Sequence, residues 1–185
     1  MLSYYTVQPA SVMRQHVQII PDGPGVYALL LDDPEALEPA LRRAGLRLDP
    51  LRLGERAVLY LGASEDSLRR RLKCHLSDDT FRSNFRMTLG AVLAEELGLE
   101  VRRPQAGRRF SFEPTSEAIL SAWIGRNISV AIRESGHALV EEKTLIALND
   151  PLLNIAGRRH QPSVETVVLL RRKLQGLPLD RRGFH

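Results

Sequence analysis

The chain has almost nothing from which to build covalent staples. Its one cysteine, Cys74, excludes a disulfide within the chain and a Cys/His zinc cluster assembled by it. It also makes a reducing, cytoplasmic location the expectation. No apolar run is long enough to cross a bilayer, so no membrane partner is expected. The opening residues, Met1-Leu2-Ser3-Tyr4-Tyr5-Thr6, lack the basic segment and long apolar run of a secretion signal, and none is expected. There is no internal repeat, no low-complexity tract, and no zinc finger or helix-turn-helix to supply sequence-specific recognition. Nor does one sign of charge dominate. A net charge of +4 and a pI of about 9.6 are a mild basic excess, weak support for a phosphate-bearing partner.

What is present is an ordinary globular mixture. The 185 residues are 43% apolar and 26% charged, enough for one domain with a real core. Residues 1–23 are a lead-in that closes in the turn Pro21-Asp22-Gly23-Pro24. The short apolar runs Gly25–Leu31 and Ala57–Gly62 read as buried strands, and Ile128–Ile132 as a third. A helix from Pro34 to Arg43 separates the first two. Further helices are expected after a cap at Asp66 or Ser67 to about Leu76, as an amphipathic stretch from about Thr80 to Leu97, from Thr115 to about Ile124, from His137 to Leu148 and from Val164 to Gln175. Arg102–Gly107 reads as a basic loop, and Phe110-Ser111-Phe112 as a short extension.

Two helices carry charge where apolar residues belong. With Glu142 as origin, Leu139 and Ile146 fall to one side of the helix, Ala138 and Leu145 to the other. A carboxylate on such a face is costly unless an arginine or a bound cation compensates it. On the earlier helix Leu68, Leu72 and Leu76 form a stripe, and Arg71 and His75 fall on or beside it. Arg70 points to the other side, while Arg69 and Lys73 follow the stripe's far edge.

Five segments taken together are Gly25-Val26-Tyr27, Tyr60-Leu61-Gly62, Leu68-Arg69-Arg70-Arg71 with His75, Glu142-Lys143-Thr144-Leu145-Ile146, and Pro151-Leu152-Leu153-Asn154. In that order they resemble the motif set of the GIY-YIG nuclease family. The resemblance implies an α+β fold: a small central antiparallel β-sheet of about three strands flanked by helices. A helical insertion would lie between the first two strands, and the middle segment would be an enlarged helical one. Residues 24–156 would be the nuclease-like domain, with 157–185 a basic helix and tail packed on it. The sequence departs from the family in three places. Tyr27 and Tyr60 are unusually far apart, Ala63 stands where some members have lysine, and the stretch from Tyr60 to Arg71 is one residue long. Counting from Tyr60 selects Arg70 as the family's arginine; helix register selects Arg71.

The resemblance further implies catalytic roles for Tyr27, Tyr60, Arg71, His75, Glu142 and Asn154. Glu142 would hold Mg²⁺ or Mn²⁺, Arg71 would bind the phosphoryl group, and Asn154 would brace the site or touch the nucleic acid. Tyr27 or Tyr60 would take a proton from the attacking water, its pKa lowered by nearby cations. Gly62 would let backbone and phosphate approach. Arg69, Arg70, Lys73, Arg82, Arg86, Arg158 and Arg159 are the candidate nucleic-acid contacts. The implied reaction is hydrolysis of nucleic acid, with DNA expected, to 3′-hydroxyl and 5′-phosphate ends. The middle segment would cover the cleft, form a homodimer face or select the nucleic acid. Two other readings compete: an inactive nucleic-acid-binding module of the same fold, and a protein-interaction domain.

Overall fold

The computed structural model describes residues 5–48, 52–102, 109–158 and 161–177. The lead-in forms a strand, β1 (Thr6–Pro9), and a short helix, α1 (Ala10–Gln15), whose Ala10 and Met13 are buried. Then comes β2 (Gly25–Leu31), buried at every position. A turn of 3₁₀ helix begun by the Asp33 carboxylate, which accepts from the Glu35 N–H, leads into α2 (Glu38–Arg43). The chain returns through β3 (Arg52–Leu53) and β4 (Arg56–Ser64). After α3 (Leu68–Leu76) and α4 (Asn84–Leu97), a small ribbon of β5 (Val101–Arg102) and β6 (Ser111–Phe112) precedes α5 (Pro114–Asn127). β7 (Ile128–Glu134), α6 (Ala138–Asn149) and α7 (Pro162–Leu174) complete the order.

The sheet has five strands in the order β1-β7-β2-β4-β3, every neighbouring pair antiparallel. The three central strands are those expected from their apolar runs. The two additions are edges, β1 of four residues and β3 of two. Strands so short carry too few alternating positions to be read from pattern. Helices cover both faces. One face presents Tyr27, Leu29, Leu31, Leu59, Val130 and Ile132 to the main core, with α3, α4 and α5. The other presents Ala28, Leu30, Val58, Leu61 and Ala131 to Leu145 and Ile146 of α6.

A bulge interrupts the β2–β4 register: Leu29 pairs with Tyr60, but Leu30 pairs with Val58. Leu59 is the extra residue, and both Leu59 and Tyr60 join the main core. Strict alternation would have sent one of them to the opposite face. Tyr60, two residues from the Gly62 that opposes Tyr27, lies on the Tyr27 side by regular pairing, and the bulge adds Leu59 to that same side.

The middle segment differs from expectation. Thr80–Arg82 is a separate 3₁₀ turn, Phe81 is exposed, and α4 starts at Asn84, capped by the Ser83 side chain. From Phe85 to Ala94 every residue of α4 is buried. This is a central helix packed by α2, α5 and α7, not an amphipathic one.

Candidate active site

The site forms where α3 meets the sheet. Ser67 caps α3 by accepting the Arg70 N–H at 3.0 Å, and its hydroxyl is tied to Asp22. The Leu68 and Arg69 amides donate to the Gly23 and Pro21 carbonyls at 2.9 and 3.1 Å. Gly25 permits this close seat, since a Cβ there would lie 2.4 Å from the Arg133 carbonyl oxygen and 2.6 Å from Leu68 Cδ1. Leu68 is therefore buried against the sheet, and three residues on, Arg71 comes level with the tyrosines. Arg71 Nε donates to the Tyr27 hydroxyl at 3.2 Å. Arg70 points outward to Asp66, at 2.6 Å, with most of its side chain in solvent.

Tyr27 is fully buried and hydrogen-bonds His75 Nε2 at 2.7 Å. His75 Nδ1 lies 2.7 Å from Ser83 Oγ. The arrangement that serves each ring group has Arg71 donating to Tyr27, Tyr27 donating to Nε2, and Nδ1–H donating to Ser83. Burial, then the charges of Arg71 and Arg86, holds the imidazole well below its ordinary pKa, so the ring is neutral. Tyr60 stacks at 6.4 Å from Tyr27, centroid to centroid, and lies edge-on to His75 and Phe85. Burial raises both phenols above their ordinary value, and Arg71 opposes this without reversing it. The expected lowering is therefore corrected: desolvation outweighs the neighbouring cation in the free protein.

Gly62 also serves differently from expectation. It is the cross-strand partner of Tyr27, and a Cβ on it would meet the Tyr27 hydroxyl at 2.2 Å. The missing side chain makes room for a phenol ring, not for a phosphate.

Glu142 reaches the same place from α6. It is half-buried, and among the described residues no arginine or lysine forms an ion pair with it. Burial pushes its carboxyl above the ordinary value; Arg71 and the Ala63 backbone N–H pull it back in part. Leu139, expected on the same apolar face, is exposed, so Glu142 sits at the mouth of that face rather than its centre. Tyr60, Glu142, Lys143, Asn154 and Arg171 line one pocket of about 530 Å³, with Asn84, Thr88 and Ile146. No group of three or more His, Cys, Asp or Glu side chains that could enclose a metal occurs among the described residues.

Asn154 is buried and accepts from the Leu61 N–H at 2.9 Å while donating to its carbonyl at 2.8 Å. Leu153 N–H donates to the Leu59 carbonyl. The turn thus behaves as a strand laid along β4 beyond β3, and Asn154 keeps one amide N–H and one oxygen lone pair on the pocket side of these two bonds.

Two of the expected nucleic-acid contacts are corrected. Arg86 is fully buried and pairs with Glu117 at 2.7 Å. Arg158 is buried as well. It pairs with Asp150, donates to the Leu152 and Asn154 carbonyls at 3.1 Å, and so secures the turn that carries Asn154. Each was read as a surface charge because its partner is distant in sequence or hidden in a loop. Arg69 is held by the Ile20 carbonyl and Asp22, whereas Lys73 and Arg82 are exposed. Arg159 and most of the Arg102–Gly107 loop lie outside the described residues.

Arg171 is a site residue that the sequence analysis does not single out; it stands in the basic run Arg171-Arg172-Lys173 of the C-terminal helix. Its signal was the one that marked Glu142. Val164, Val167 and Leu174 repeat along one face of α7, and Arg171 interrupts that stripe. Ser83 and Phe85 were likewise unforeseen as neighbours of His75.

Residues 25–173 match the family model of the GIY-YIG catalytic domain. No curated protein and no solved structure matches the chain.

Proposed function

The chain belongs to the GIY-YIG nuclease family, and from that premise we propose that it is a metal-dependent endonuclease that hydrolyses DNA phosphodiester bonds. The observation that carries this reading is Glu142: a half-buried carboxylate with no ion-pair partner among the described residues, facing a pocket it shares with Tyr60. A protein carboxylate in that setting calls for a cation from outside. One carboxylate beside an open pocket fits a hard divalent ion, Mg²⁺ or Mn²⁺, that keeps most of its waters. Such an ion would supply charge neutralisation at the phosphate and at the leaving oxygen.

The residues of the chain divide the remaining work. Glu142 holds the ion. Arg71 spends its Nε–H on Tyr27, which leaves its terminal nitrogens for the phosphoryl oxygens. Tyr60 lines the pocket and, once a cation bound at Glu142 offsets its desolvation, would take the proton of the attacking water. Tyr27 is fully buried, so it positions Arg71 rather than touching substrate. Water bonds to phosphorus, the bond to the 3′ oxygen breaks, and that oxygen takes a proton from solvent. The products are a 3′-hydroxyl and a 5′-phosphate. Lys73 and Arg82 are exposed for contact with the nucleic-acid backbone. Arg70 joins them at small cost, because an exposed pair such as Arg70–Asp66 is worth at most about 1 kcal/mol.

The test is incubation of wild type, Glu142→Gln and Arg71→Ala with labelled DNA and RNA, with Mg²⁺, Mn²⁺ or chelator. Metal-dependent cleavage of DNA by wild type alone is the expected outcome. Binding without cutting would support an inactive binding module. Neither binding nor cutting would leave the protein-interaction reading.

A further inference from the structure

Arg171 is a charge without a local reason. It projects from α7 into the pocket that holds Tyr60 and Glu142. Among the described residues its hydrogen bond is from Nη2 to Met87 Sδ at 3.4 Å, a weak acceptor, and no carboxylate pairs with it. Burial, then the charge of Arg109, works against its protonated form. Arg109 itself is anchored, donating to the Phe81 carbonyl at 2.6 Å and lying over the Phe81 ring. A further polar group of the pocket lacks a partner, the buried hydroxyl of Thr88. Elsewhere in this fold a buried guanidinium has a carboxylate of its own, although Arg86 Nη1 too lacks a hydrogen-bond partner. Arg86 has Glu117, and Arg158 has Asp150 and two carbonyls.

A half-buried guanidinium that lines an open pocket, holds only a sulfur acceptor among the described residues and lies beside an unpartnered hydroxyl forms a seat for an anion. Arg71 on α3 hydrogen-bonds Tyr27 and Arg171 on α7 lines the pocket with Tyr60, so both act on the charge at Tyr60. We propose that Arg171 is a second phosphate-binding residue, which seats a phosphate of the substrate strand next to the one that is cut. The proposal rests on the nuclease reading for the identity of the strand, but the anion seat itself does not. It gives α7 a part in binding substrate. It also makes Arg171 a determinant of affinity and strand placement rather than of chemistry.

The experiment compares wild type, Arg171→Gln and Arg171→Lys in two assays. The first is binding of a labelled DNA duplex in Ca²⁺ across a range of salt. Arg171→Gln should weaken binding about tenfold and reduce the slope of log K against log salt by about one, as the loss of one phosphate contact requires. Arg171→Lys should keep the slope, since it keeps the charge. The second is the melting temperature with and without inorganic phosphate. Phosphate should stabilise wild type and Arg171→Lys but not Arg171→Gln. Without phosphate, Arg171→Gln should melt no lower than wild type, because it removes an uncompensated charge; a purely structural arginine predicts a fall. An unchanged slope in Arg171→Gln, or equal phosphate stabilisation of all three proteins, overturns the proposal. If wild type binds no nucleic acid yet phosphate stabilisation depends on Arg171, the nuclease reading fails and the anion seat stands.

Discussion

Two regions of this protein bury charge, and they settle it in opposite ways. Between α4 and α5, Arg86 pairs with Glu117 at 2.7 Å. Glu117 also accepts from the Thr80 N–H and hydroxyl and from the Phe112 N–H. That carboxylate is fully served by its own chain and joins the 3₁₀ turn at Thr80, β6, α4 and α5 in one knot. Beside β4, Glu142 lies near Arg71 without an ion pair to it, and among the described residues Arg171 has only a sulfur acceptor. The second region is equally polar and remains incomplete. The first is what stability makes of buried charge; the second is what a ligand site makes of it.

The contrast breaks most visibly if Glu117 is removed. Glu117→Ala strands Arg86 inside the protein, and loss of one partner of a buried pair costs about 3–5 kcal/mol. Chemical unfolding of Glu117→Ala should show a loss of that order, with activity falling only as the protein unfolds. Glu142→Gln should behave in the opposite way. Its cleavage rate should drop on the order of a hundredfold to a thousandfold, while its unfolding free energy stays within about 1 kcal/mol of wild type, as for substitutions that break no native pair. A Glu142→Gln protein as unstable as Glu117→Ala would erase the distinction between the two regions.

Gly62→Ala sharpens the comparison from inside the site. Its Cβ would meet the Tyr27 hydroxyl at 2.2 Å, so the phenol that joins Arg71 to His75 must move. Overpacking of this kind costs about 1–3 kcal/mol. Unlike Glu142→Gln, this variant should lose both stability and rate, measured by unfolding and by single-turnover cleavage. Unchanged rate would mean that the Tyr27–Arg71 contact does not position Arg71 for chemistry.

Local pattern made part of this architecture legible before any coordinates. Gly25–Leu31 and Ala57–Gly62 announce themselves as short apolar runs, and the stripe Leu68-Leu72-Leu76 sets the register that sends Arg71 inward and Arg70 outward. Glu142 stood out because a carboxylate interrupted an apolar face. The features that escaped depend on partners distant in sequence. Arg86 looked like surface charge because Glu117 lies on another helix. The bulge at Leu59 is a property of the β2–β4 register and leaves no mark in either strand alone. The role of Gly62 could not be told from its own segment, since the atom it avoids belongs to Tyr27. Arg171 had the same local signal as Glu142, but lay within a run of three basic residues whose neighbours are ordinary.

The smallest effect concerns His75, which belongs to both regions: it hydrogen-bonds Tyr27 on one side and Ser83, the cap of α4, on the other. Burial, with Arg71 and Arg86 adding their charge, keeps it neutral in the folded protein. In the unfolded chain an ordinary histidine takes up its proton near pH 6.5. Below that pH the unfolded state binds more protons than the folded one, so stability falls on acidification, with a slope of at most about 1.4 kcal/mol per pH unit for one proton. Stability from this group is complete above the ordinary histidine value and is lost progressively below it. Melting temperatures measured from pH 8 to pH 5 should decline for wild type. His75→Gln should melt lower at pH 8, having lost its fit between Tyr27 and Ser83, but decline less steeply. Parallel curves would show that some other group carries the acid sensitivity, and that His75 does not bind the catalytic edge to the core through its neutral ring.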